Sequence, residues 1–162
     1  MKIFVKNNTL LFDDFKFKCS IGKYGTTSKK VEGDKKTPKG IYSIGPVYFR
    51  KDKISKLLTS LELISIKKNM GWCNDVKSKF YNKIIDTRKK LQCEKLYKKI
   101  SNYDILIPIH YNTKKIKKGK GSAIFLHLTN DYRSTLGCVA VKKKDMLVLL
   151  KLIRKNTKIK II

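Results

Sequence analysis

The sequence is most informative where it is sparse. Only two histidines occur, His110 and His127, and no carboxylate stands beside either at ligand spacing, which argues against a catalytic zinc site and leaves no metal or cofactor to be inferred. Four cysteines, at 19, 73, 93 and 138, include no C-x-x-C pair. A zinc ribbon and a thioredoxin-type redox motif are therefore both excluded. One or two disulfides remain open if the chain is exported, and reduced thiols are the default if it is not. No run of eighteen or more apolar residues is present, so no membrane-spanning helix is expected. The opening MKIFVKNNTLLFDDF is broken by Lys6, Asn7, Asn8 and two aspartates and does not read as a secretory signal. Either the chain stays in the cytoplasm, or a leader is missing from this sequence, or export takes another route.

Acidic residues are also scarce. Thirty-nine Lys and Arg against twelve Asp and Glu give a formal charge of +27, which favours any polyanion: nucleic acid, an anionic membrane face or an acidic wall polymer. Arginine occurs only at 50, 88, 133 and 154. Base-edge recognition leans on arginine, so lysine spread over the whole chain is read more simply as compositional bias.

What is present is a chain of 162 residues, 41% hydrophobic, long enough for one domain (1–162) with a real core. Short apolar runs over 1–21, separated by Asn-Asn and Asp-Asp, predict antiparallel strands with tight connections. Residues 22–40 are rich in turn formers, with Asp34 and Thr37 expected to fix a turn, and an alternating strand follows from Ile41. The stretch 51–68 reads as a short helix or an irregular excursion. YDILIPIHYN predicts a strand reaching a sheet edge at Pro108, and SAIFLHL a second, buried strand. Met146, Leu147, Leu149, Leu150 and Ile153 mark one face of an amphipathic helix with Asp145 near its start, and TKIKII alternates as a last strand. The fold class predicted is mixed but mainly β and mainly antiparallel, with no repeat and no linker.

The segment GSAIFLHLTNDYRSTLGCVAV, 121–141, carries the chemistry. His127 ends an apolar run and Cys138 lies eleven positions later, too far to share one helix face but within reach across a strand, a loop and a return. A thiol needs a neighbouring base to act as a nucleophile, and a thiolate–imidazolium pair is expected here. Backbone N–H groups of Leu136, Gly137 and Cys138 are candidates for stabilising an oxyanion, with the start of the following helix adding a positive partial charge. Taken singly, these residues have plainer roles. A cysteine in an apolar segment is usually core, as expected for Cys19 and Cys73, and Cys93 sits in a lysine-rich stretch and is expected to be exposed. Trp72 is read as core before a sugar platform, and Arg50 and Arg133 as solvated surface residues, Arg133 being the better candidate for a substrate carboxylate.

Taken together, GSAIFLHL, a short loop and T-x-G-C-V-A-V resemble the catalytic motif of the L,D-transpeptidase family, the YkuD-type domain of bacterial cell-wall enzymes. EGDKKTPKGIY is similar to that family's Gly-Asp and Thr-Pro-x-Gly loop. GWCND, Tyr81-Asn82 and Tyr111-Asn112 resemble features of one of its branches. The resemblance spans about Cys19 to Leu150 and implies an antiparallel, sandwich-like β fold with a helix after the cysteine. It implies Cys138 as nucleophile, His127 as base and then acid, and Gly137 at the reacting centre, with Thr135 and Leu136 on the substrate side; Arg133, in the loop before the cysteine, and His110 and Asn112, on the strand expected to flank the cleft, are further substrate-binding candidates from their own positions. Leu136 stands where the family usually has a second histidine, the spacer from His127 is short, and Val139 and Ala140 replace the frequent Arg or Asn. The implied partners are peptidoglycan stem peptides, cut with release of a terminal D-amino acid to leave a thioester. The acceptor stays open between an amine, a free D-amino acid and water. The expected location is the periplasm or cell wall. A degenerate wall-binding module and a small basic nucleic-acid-binding protein are the other two readings.

Overall fold

The computed structural model describes residues 1–162 and is mainly β, as the sequence predicts. Residues 1–18 form a meander, β1 (Lys2–Lys6), β2 (Thr9–Phe12) and β3 (Phe15–Lys18), turned by Asn7 and Asp13 with positive φ. One short parallel pair, β4 (Thr26–Thr27) with β5 (Thr37–Pro38), braces the turn-rich loop before β6 (Gly40–Ser43). Then follow β7 (Val47–Phe49), β8 (Leu63–Ser65), β9 (Met70–Cys73), β10 (Ile84–Asp86), β11 (Cys93–Lys95), β12 (Ile105–Pro108), β13 (Phe125–Leu128) and β14 (Val139–Val141). The single α-helix, α1 (Lys143–Leu152), leads to β15 (Lys158–Ile161). Of the expected apolar helix face, Met146, Leu149, Leu150 and the cap residue Ile153 are buried, and Leu147 only partly so. The stretch 51–68 is an irregular excursion that ends in β8, not a helix.

Two five-stranded sheets carry the fold, ordered β3-β2-β1-β15-β6 and β14-β13-β12-β7-β8, with a three-stranded sheet β10-β9-β11 between β8 and β12 in sequence. Neither large sheet is purely antiparallel: β15 runs parallel to β1, and β14 parallel to β13. α1 links the two sheets, carrying the chain from β14 at the end of one to β15 inside the other, while residues 129–138 make the connection between the parallel neighbours β13 and β14. The strand containing Pro108 is central, not an edge, which corrects the sequence expectation. Proline is tolerated there because β7 begins only at Val47. The pairing slips by one residue there, from Leu106 opposite Tyr48 to Ile109 opposite Ile44, so Pro108 sits at a bulge, where a missing N–H is tolerated, while its carbonyl still accepts from the Gly45 N–H at 2.8 Å.

In the sheet β14-β13-β12-β7-β8 the strands β12, β13 and β14 are buried on both faces, and period-two alternation sorts their side chains. Ile105, Ile107, Leu126, Leu128, Val139 and Val141 face the meander, β15 and α1 in one core of 25 buried residues. Tyr48, Leu106, Phe125 and Cys138 face the other way, into a smaller cluster with Ile66, Trp72, Leu96 and Tyr103 supplied by residues 66–103. A strand buried on both faces reads as a continuous apolar run, which is why SAIFLHL shows no alternation.

The motif thus contains two leucines in opposite situations, Leu126 fully buried between the sheets and Leu136 74% exposed on a loop. We predict that Leu126→Ala lowers unfolding stability by about 2–5 kcal/mol, whereas Leu136→Ala changes it by less than about 0.5 kcal/mol. Urea denaturation of both variants checks this.

Candidate active site

Cys138 and His127 share one sheet face because β13 and β14 pair in parallel. His127 is in register with Ala140 and Leu126 with Val139. Residues two apart on a strand share a face, so Cys138 and His127 are diagonal neighbours on the outer face of this sheet. The cysteine side is pinned from two directions. Residues 20–23 bridge to Ala140 and Thr135, and the Thr135 hydroxyl donates to the Cys138 carbonyl at 2.6 Å while accepting from the Gly137 N–H at 3.1 Å. Thr37, which accepts from the Gly22 N–H at 2.8 Å, reaches the same Cys138 carbonyl. Asp34 accepts from the N–H groups of Val31 and Lys36 and fixes the turn that brings Thr37 there. Gly137 has φ +139°, and a Cβ on it would lie 3.0 Å from the Lys36 carbonyl oxygen. Glycine is required at that position by both backbone and space.

The sulfur's hydrogen bonds go to backbone, not to the imidazole. Sγ accepts from the Phe125 N–H and donates to the Ala123 carbonyl, both at 3.3 Å. His127 directs Nδ1 to the Leu128 carbonyl at 2.8 Å. A carbonyl can only accept, so the proton is on Nδ1 and the lone pair on Nε2. The imidazole packs edge-on against Tyr103, centroids 5.1 Å apart.

Burial then dominates the electrostatics. Desolvation lowers His127 to about 4, against the favourable influence of the Leu128 carbonyl. It raises Cys138 to about 12, against the Phe125 N–H. The expected thiolate–imidazolium pair is therefore not the resting state: both groups are neutral, because neither charge is solvated or directly paired. Two further expectations need correction. The Gly137 N–H is engaged by Thr135, leaving those of Leu136 and Cys138 without an acceptor in the chain. The first turn of α1 packs on the opposite face of the sheet and contributes nothing to the cleft.

The cleft over this pair has a volume of about 660 Å³, within the range of small-ligand sites. The structure brings Thr135, Leu136 and Arg133 to it together with Cys138 and His127. Arg133 is exposed, as expected, and paired with Asp131 at 2.8 Å. His110 and Asn112 are not brought to it. His110 bonds to Ser43 at 3.0 Å, and Asn112 ties its loop to Lys117 and Gly121 beside a separate hollow.

Several cleft residues escaped sequence reasoning. Glu32, Glu94, Lys98, Asn102 and Tyr103 all line it, and nothing local in the sequence marks them except the Glu94–Lys98 spacing of a charge pair, here 2.5 Å. Arg50, expected to be solvated, is only 4% exposed. It forks onto Asp52 at 2.7 and 2.6 Å, lies 3.5 Å over the Tyr97 ring and donates to the Lys98 carbonyl at 2.5 Å. It anchors the segment that holds Lys98, Asn102 and Tyr103 over the cleft. Cys19 and Cys73 are buried as expected, and Cys93 is partly buried instead of exposed. Trp72 is core, edge-on to Phe125 at 5.2 Å, with its N–H donating to Asn82 at 2.9 Å. Asn82 Oδ1 also accepts from the Ala123 N–H at 3.1 Å, and Ala123 has φ +52°. That side chain thereby sets the carbonyl to which the thiol donates.

These shifts define a pH window. Unfolded histidine titrates near 6.5 and unfolded cysteine near 8.5. Between about pH 4 and 6.5 the unfolded chain binds the extra proton at His127, so stability rises with pH and this contribution is complete above 6.5. Between about 8.5 and 12 the folded chain retains the protons of Cys138 and of Cys19, also raised to about 12 by burial, so stability falls. Urea midpoints measured across pH should peak between about 6.5 and 8.5, and His127→Gln should flatten the acid limb. In the free protein, alkylation of Cys138 by iodoacetamide should rise about tenfold per pH unit from 6 to 9 with no plateau. A plateau near neutrality would reveal a preformed ion pair.

A sequence model of the YkuD family, described as the L,D-transpeptidase catalytic domain, matches residues 1–161. No curated protein matches the chain in sequence. Among solved structures, that of Bd1075 from Bdellovibrio bacteriovorus is similar, with a TM-score of 0.52, 18% identity and coverage of 99% of this chain. At that identity the likeness is one of fold, and this chain spans 46% of the length of that one.

Proposed function

The chain belongs to the YkuD family of L,D-transpeptidase catalytic domains, and from that premise we propose that residues 1–162 form a catalytic domain performing cysteine-dependent acyl transfer on peptidoglycan stem peptides. The observation that carries the proposal is the placement of Cys138 and His127 on one buried sheet face at the floor of a cleft. Because thiol and imidazole rest neutral, the base acts during attack and not before it. Rotation of the Cys138 side chain away from the Ala123 carbonyl presents its proton to Nε2 of His127. The sulfur attacks the carbonyl carbon of the diamino-acid residue, and the oxyanion is met by the free N–H groups of Leu136 and Cys138. His127, with Nδ1–H held by the Leu128 carbonyl, returns the proton to the departing D-amino acid. A thioester on Cys138 remains, and an amine or water accepts the acyl group, with the same imidazole removing its proton.

The charge of the cleft supports a peptide substrate over a polyanion. Three of the twelve acidic residues, Glu32, Glu94 and Asp131, line it beside Lys35, Lys98 and Arg133. Both signs suit a peptide that carries amines and carboxylates. A nucleic-acid groove would not gather acids in a chain with so few. Peptidoglycan lies outside the cytoplasmic membrane, so the proposed place of action is the periplasm or wall. No helix of the structure is long and apolar enough to cross a membrane.

Incubation with a tetrapeptide stem, followed by intact-mass measurement and peptide mapping, is expected to show an adduct on Cys138 equal to the stem without its terminal residue. Cys138→Ala should give none at an unchanged melting temperature, and His127→Gln should slow acylation by about 10²–10⁴-fold. Binding of the stem with no adduct would instead identify a wall-binding module without chemistry.

A further inference from the structure

The small sheet that covers the cleft carries two cysteines on facing strands. Cys73 of β9 and Cys93 of β11 are directly opposed in the antiparallel register, between the rungs Trp72/Glu94 and Asn74/Gln92. The hydrogen bonds show which kind of rung this is. Leu96 N–H donates to the Met70 carbonyl at 3.0 Å and Asn74 N–H to the Gln92 carbonyl at 3.2 Å, while Cys73 N–H points the other way, to Lys83 on the β10 side. Hydrogen-bonded rungs alternate with open ones, so Cys73/Cys93 is an open rung. Opposed Cα atoms there approach to about 4.5 Å, inside the window of about 4.4–6.8 Å that a disulfide requires.

From this juxtaposition we propose that Cys73 and Cys93 form a disulfide under oxidising conditions, stapling the sheet that roofs the cleft. The space for it exists: Gly71, beside Cys93, has no side chain, and a Cβ there would lie 2.9 Å from the Cys93 sulfur. Proximity also registers electrostatically, since burial first and then Cys73 push the Cys93 thiol up. The staple lies on the rear of the sheet. Alternation turns Trp72 and Glu94 of the next rung toward the cleft, where Trp72 packs with Phe125 and Glu94 lines the wall. Cys138 and Cys19 take no part, being on other elements.

The oxidant is a small disulfide such as glutathione disulfide. Cys93, the more accessible sulfur, attacks as thiolate, the S–S bond of the oxidant breaks, and one glutathione thiolate leaves. The Cys73 thiolate then attacks the Cys93 sulfur and expels the second glutathione. One protein S–S bond replaces two S–H bonds, the oxidant is reduced to two thiols, and the two protein protons end on them. This inference rests on strand register alone and stands whether or not the domain turns over stem peptides.

The test places the purified full chain in glutathione buffers of rising disulfide-to-thiol ratio. The expected product is lighter by two hydrogens, yields a Cys73–Cys93 linked peptide on digestion, and melts roughly 5–10 °C higher than the reduced form. Cys73→Ser should stop at a mixed disulfide carrying one glutathione on Cys93, and Cys93→Ser should leave Cys73 reduced. The proposal is overturned if both thiols stay reduced at the most oxidising ratio, if the bond maps to another pair, or if oxidation lowers the melting temperature. Mapping the wild-type chain keeps the test decisive even where a serine variant folds poorly.

Discussion

Everything at the candidate site depends on the burial of one sheet on both faces. Because β12, β13 and β14 are covered by the meander and helix on one side and by residues 66–103 on the other, each strand must present apolar side chains both ways. The parallel pairing of β13 with β14 then puts Cys138 and His127 on the same side. Had the outer face been open to water, the thiol and imidazole would titrate near their ordinary values. Covered as they are, desolvation pushes the two groups apart in the sense that keeps both neutral.

A neutral resting pair has a chemical consequence. A standing thiolate reacts with any electrophile that reaches it, whereas a buried thiol donating to the Ala123 carbonyl stays unreactive while that bond holds. The backbone does much of the positioning: Leu128 fixes the imidazole tautomer, Phe125 and Ala123 hold the sulfur, and Thr135 and Thr37 hold the Cys138 carbonyl. Side chains far away in sequence act one step back. Asn82 sets Ala123, and Arg50 anchors the strand-to-strand segment that supplies Lys98, Asn102 and Tyr103. The chain's membership of the YkuD family and the mixed acidic and basic walls of the cleft are the grounds for the acyl transfer proposed above.

Much of this was legible before any coordinates. Strand after strand in 1–21, the buried SAIFLHL run, the helix after Lys142 and the final alternating strand follow from apolar period, and the motif 127–138 contains the thiol and the imidazole that the proposed reaction uses. The misreadings share a cause. Pro108 reads as an edge residue because its missing N–H is a local property, yet an irregularity in the neighbouring strand accommodates it centrally. Arg50 reads as solvated because, beyond the adjacent Asp52, the groups that cover it, Tyr97 and the Lys98 carbonyl, come from a segment distant in the chain. His110 and Asn112 sit near the motif in sequence, but their strand delivers them to Ser43 and to the 117–121 loop.

Apolar period, residue chemistry and backbone freedom are local quantities, and they mark out from the chain alone the mainly β architecture, a histidine and a cysteine in one motif, and the glycine between Leu136 and Cys138. Only the tertiary structure decided that the pair rests neutral, that acids join bases along the cleft wall, and that Cys73 faces Cys93. Those facts come from solvent exclusion and strand register, and both are created only when segments distant in the chain pack together.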